Sequence, residues 1–124
     1  MLASLFASSL GVVFAVIAVV MLFIPGTNLA ADGIQFDSFT VAGKAEIRAY
    51  YFGTAMCVSW VCLTSKVHTA LQAIAIVLGG FAAARMVGYI TDGVDSKPSF
   101  RLHQHAVFCA EVLGCTVALA LMQT

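Results

Sequence analysis

Two charged residues stand where an apolar chain should carry none. Arg85 lies inside the run 69–92, TALQAIAIVLGGFAAARMVGYITD, and Glu111 lies inside the apolar run 102–121. An arginine near the centre of a spanning helix costs roughly 2.5–3.5 kcal/mol on insertion scales, so it is normally paired or snorkelling. Glu46 and Arg48 open another apolar stretch, and Asp92 closes the run that holds Arg85. These five residues make two cations and three carboxylates, with Tyr50, Tyr51, Tyr89 and Gln104 as neighbouring hydrogen-bonding groups. One reading is structural: the charges neutralise one another and fix helix register. The other is functional: ionisable groups within a membrane mark proton, ion or ligand sites by default. Both stay open on the sequence.

Other chemistries find less support. His103 and His105 are two residues apart and do not share a helix face. A metal would need further ligands such as Asp92 or Asp95, so no metal site is expected. Cys57, Cys62, Cys109 and Cys115 all fall within apolar stretches, at spacings unlike zinc or redox motifs. They read as small apolar packing residues. The chain has no Gly-x-Ser-x-Gly, His-Glu-x-x-His, phosphate-loop or dinucleotide pattern, and its serines have no histidine at matching depth. The motifs therefore lean away from an enzyme and name no cofactor.

The elements that position the charges follow from composition. Of 124 residues, 61% are hydrophobic and only 10% charged, with a mean hydropathy of +1.00. Soluble domains average about 25% charged residues, so an integral membrane protein is expected. Net charge is zero and no basic stripe exists, which excludes nucleic acid as a partner. Four apolar runs, 2–24, about 46–63, 69–91 and about 102–121, approach the ~20 residues of a spanning helix. The first ends at Pro25-Gly26 and reads as a retained span. A signal peptide would carry a basic n-region and a shorter apolar core, and Leu29-Ala30-Ala31 is a poor cleavage site. Residues 26–43 read as a solvent-exposed loop, with Phe36 and Phe39 suited to the headgroup level. The turn 64–68 is short enough to make the second and third runs antiparallel neighbours. The expected fold is all-α: a single domain, 1–124, forming a four-transmembrane-helix bundle, up-down-up-down.

That topology brings the charges to one side of the membrane. Arg85 is seven residues before Asp92, about 10 Å deep at 1.5 Å per residue, and Glu111 is nine residues into the fourth run, about 13 Å deep. The depths match to about two residue steps, so Glu111 is the expected partner of Arg85. Two stripes of small residues, Ala49/Gly53/Cys57 and Gly80/Ala84/Gly88, offer grooves where another helix backbone can approach.

Glu46-x-Arg48-Ala49-x-Tyr51-Phe52-Gly53, then Gly80-x-x-x-x-Arg85, Asp92-Gly93 and Glu111 resemble the pattern of a bacterial family of small four-span membrane proteins of unknown function. Phe52 stands where that pattern has the first of two glycines. The resemblance implies a four-helix membrane bundle carrying this polar constellation, in a bacterial inner membrane. It also implies a basic second loop and cytoplasmic termini. The count of Lys44, Lys97 and Arg101 against Lys66 points the other way, and we expect the termini inside. The expected role is a non-catalytic accessory or scaffold subunit, with the lipid bilayer and other membrane subunits or a second copy as partners. The alternative is binding or transport of a small ligand, a lipid- or quinone-like molecule or a proton, through Glu46, Arg48, Tyr51, Arg85, Tyr89, Asp92 and Glu111.

Overall fold

A computed structural model describes residues 1–31, 35, 40–91, 93 and 98–123; at 27, 28, 31, 41–43, 46 and 48 the description is of the backbone alone. The order is α1 (Leu2–Phe23), α2 (Pro25–Ala31), α3 (Val41–Thr64), α4 (Val67–Thr91) and α5 (Pro98–Leu121). Among the described residues there are no strands. The all-helical expectation holds.

The helix ends follow local chemistry. The Ile24 N–H still bonds the Val20 carbonyl at 2.7 Å, but Ile24 itself leaves the helix at φ −132°, ψ 54°. Pro25 disfavours helical geometry at the residue before it, and then serves as the first residue of α2. Only Ser65 and Lys66 separate α3 from α4. Beyond α4, Gly93 has φ +81°, the left-handed conformation that stops helices and that glycine adopts without a Cβ penalty. Pro98 opens α5, where a missing N–H is harmless.

The elements differ from expectation in three places. Residues 25–31 form a helix where an exposed loop was expected, and Leu29 is buried against Met21 with Ile47 packed alongside. Phe36 and Phe39 lie outside the described residues. The second expected span, 46–63, is the apolar part of a longer helix starting at Val41; its apolar stretch is Ala49–Thr64. Sixteen residues reach about 24 Å, short of the ~30 Å hydrocarbon thickness. The last helix starts at Pro98, ahead of the expected 102, because proline is a good opening residue. Three helices are therefore long and apolar enough to cross a membrane: Leu2–Phe23, Val67–Thr91 and Pro98–Leu121. The fourth is shorter.

The packing is of two helix pairs, α1 with α3 and α4 with α5, joined through a smaller α3/α4 contact and a slight α1/α4 one. The core is made largely of small side chains, Ala7, Ala18, Ala55, Ala70, Ala75 and Ala118, around Phe14, Leu71 and Ile74. Small residues let backbones approach, which is how helices associate in lipid. Gly11 shows this directly: a Cβ there would lie 2.9 Å from the Cβ of Cys62. By contrast the large apolar residues face outward, Val16, Trp60, Ile76, Ile90 and Leu113 among them. In water such a surface would be a continuous apolar patch far beyond what soluble monomers expose. Helices that are apolar all round belong in a bilayer.

Candidate functional site

The sequence places Arg85 six residues before the end of α4 and Glu111 in the middle of α5. Because α4 and α5 pack antiparallel, the two meet. The Arg85 Nε–H donates to both carboxylate oxygens of Glu111, at 3.0 Å to Oε1 and 2.9 Å to Oε2. Burial is unequal: the Glu111 side chain is 7% exposed and that of Arg85 34%. A charge-assisted bond of this kind is roughly twice as strong as a neutral one. Its form matters as much. A two-pronged fork would use Nε together with an Nη; here one N–H serves both oxygens. Neither Nη1 nor Nη2 has a hydrogen-bond partner among the described residues.

Two further contacts tie the same helices together. One turn after Arg85, the Tyr89 hydroxyl donates to the Gln104 carbonyl at 2.9 Å. The Tyr89 ring meets His105 and Phe108 edge-on, at 5.8 and 5.6 Å between centroids, the orientation aromatic quadrupoles prefer. At the other end, the Cys115 thiol donates to the Ala75 carbonyl at 3.4 Å. Tyr89 thus anchors α5.

Beside the ion pair lies a half-open, mainly apolar cavity of about 660 Å³. Arg85 and Glu111 form part of its wall, with Ala84 and Phe81 on α4 and His103 and Val107 on α5. The facing wall is Tyr50, Tyr51, Thr54 and Ala55 of α3, and Phe14, Ile17 and Met21 of α1 with Leu29 of α2 close the rest. Tyr50 and Tyr51 meet edge-on at 5.6 Å. Although α3 and α5 both line the cavity, they scarcely touch each other.

Of the residues expected to form one polar cluster, Tyr51, Arg85 and Glu111 all line this cavity, while Tyr89 is not among its lining residues. Glu46 and Arg48 lie on the α3 backbone within one turn of Tyr50, and their side chains are outside the described residues. Asp92 is outside them altogether. His103, read from the sequence as an ordinary interfacial residue, lines the cavity. The α1 contribution was missed, because α1 has no charged residue and its serines, Ser4, Ser8 and Ser9, lie in its first half, away from Phe14, Ile17 and Met21. Among the described residues no group of three or more His, Cys, Asp or Glu is placed to hold a metal ion. Among the described residues, a Cβ on Gly53, Gly80 or Gly88 would meet nothing within 4 Å.

The arrangement is suited to binding. One Arg85 N–H reaches both Glu111 oxygens, and both residues border a mainly apolar space. Comparison with family models, with curated proteins and with solved structures returns no match for this chain.

Proposed function

We propose that this chain is a four-span membrane protein that binds a small amphiphile within the bilayer and performs no chemistry on it. The observation that carries the reading is the cavity of about 660 Å³ whose mainly apolar wall includes Arg85, whose Nη groups have no partner among the described residues. Pockets for drug-sized ligands run from about 300 to 1,000 Å³ and pair an apolar lining with a few placed polar groups. The weak contact between α3 and α5 supports entry from the side, through the lipid. Under this reading α3 is the fourth span, its short apolar stretch accommodated by local thinning or by snorkelling of flanking side chains. The resemblance to the bacterial four-span family supports an inner-membrane setting with cytoplasmic termini.

A second reading, an accessory subunit or homo-oligomer, is favoured by the open space over Gly53, Gly80 and Gly88. The two readings meet at Ala84, which stands between Gly80 and Gly88 on the stripe and also lines the cavity, so a partner helix seated there would border the cavity.

Native mass spectrometry of the chain released from membranes tests the main reading. The wild type should carry a retained small molecule. Ala84→Trp, which projects a large side chain at the cavity wall, should lose it at an unchanged melting temperature. A wild type that retains nothing, together with no gain in melting temperature from any added amphiphile, removes the proposal.

A further inference from the structure

Resting on that cavity reading, we infer that the bound head group is a neutral hydrogen-bond acceptor, a carbonyl on an apolar body, held by Nη1 and Nη2 of Arg85. Arg85 and Glu111 compensate one another, and with histidine counted neutral no other described residue of the cavity wall is charged. An anion brought to the guanidinium would therefore leave one negative charge without a counter-ion among the described residues, and beside a mainly apolar wall unpaired charge is disfavoured. A cation fares no better, because it would leave one positive charge unmatched beside the guanidinium. What the pair lacks is an acceptor. The Nη groups carry four N–H between them, and none has a partner among the described residues.

The remainder of the wall narrows the body of the ligand. Phe14, Phe81, Tyr50 and Tyr51 present aromatic rings around the space, which suits a flat ring or an acyl chain. A ring carbonyl, as in a quinone, and the ester carbonyl of an uncharged glyceride share the required chemistry. The sparse contact between α3 and α5 suits entry from the lipid, where either would be dissolved. Glu111 acts here as a positioning residue: it holds Nε, fixes the plane of the guanidinium and cancels its charge.

The test uses the full chain in zwitterionic nanodiscs and three probes with equal decyl tails: a benzoquinone, a monoacylglycerol and an alkyl phosphate. Either neutral probe should bind at least tenfold more tightly than the phosphate, and the stronger of the two identifies the source of the carbonyl. Arg85→Lys keeps a cation for Glu111 but lacks the Nη fork, and should weaken the neutral probe at least tenfold. Glu111→Gln leaves the guanidinium uncompensated and should turn the preference toward the phosphate. Tighter binding of phosphate by the wild type, or neutral binding unchanged in Arg85→Lys, overturns the inference while leaving the cavity reading intact. Failure of all three probes to bind overturns both. Melting temperatures recorded alongside separate lost binding from lost fold.

Discussion

The two helix pairs of this bundle are held by different means. Between α1 and α3 the contact is one of shape: Gly11 lets the backbones close on Cys62 and Leu63, and Ala7, Ala18 and Ala55 fill the space. Between α4 and α5 polar bonds fix the register at three levels, through Tyr89, Arg85 and Cys115. Close packing tolerates sliding until a larger side chain intrudes. A buried ion pair does not, because a shift of one residue strands a charge. The polar pair of helices thus carries the ion pair of the candidate site, and the apolar pair supplies further lining of the cavity.

The largest expected effect breaks the polar side. Arg85→Ala strands the nearly enclosed Glu111 carboxylate and should lower stability by ~3–5 kcal/mol. Glu111→Ala should cost less, because the guanidinium is a third exposed and can turn into the open cavity. Thermal unfolding in detergent reads both. The double change Arg85→Met/Glu111→Leu should recover much of the loss, since apolar replacements leave no charge to compensate. Strictly additive losses would mean the pair is not coupled.

The apolar side breaks differently. Gly11→Ala places a Cβ 2.9 Å from the Cys62 Cβ, and overpacking of this kind costs about 1–3 kcal/mol. The α4/α5 contacts should survive it, so a disulfide engineered across α4 and α5 should still form. Smaller again, Tyr89→Phe keeps the ring contacts and removes one hydrogen bond to Gln104, for a loss of about 0.5–1.5 kcal/mol. The smallest effect belongs to Gly80→Ala. Nothing lies within 4 Å of its Cβ, and alanine is the better helix former by up to ~1 kcal/mol. A slight gain in melting temperature is expected. Dissociation of an oligomer in mild detergent would instead reveal a partner helix on that stripe.

The polar side was also the legible one. Arg85 and Glu111 stand out because a charge within an apolar run is costly, and the helical rise alone sets them at matching depth. The end of α4 at Asp92-Gly93 was equally plain, and Gly93 adopts the left-handed conformation expected there. Shape left no such trace. Gly80, Ala84 and Gly88 form a conspicuous stripe, yet α4 meets α5 through its neighbour Gly79, where a Cβ would lie 3.2 Å from the Cys115 sulfur. In a helix with small residues all round, spacing does not say which side is used. Phe14, Ile17 and Met21 line the cavity from the half of α1 that holds no polar residue to orient it. The helical run Pro25–Ala31 was hidden by Gly26 and Asn28, poor helix formers whose local preference is outweighed by burial of Leu29.

The central claim is that the space beside Arg85 is a binding site, and photolabelling tests it most directly. A decyl chain bearing a photoreactive ketone head, activated in nanodiscs and mapped by peptide mass spectrometry, reports where the head resides. The account predicts modification at Tyr50, Tyr51 and His103, abolished in Ala84→Trp and reduced at least tenfold in Arg85→Lys. Labelling concentrated on the outward-facing Trp60 and Ile76, unaffected by either substitution, would show that the probe sees only lipid-exposed surface and would contradict it.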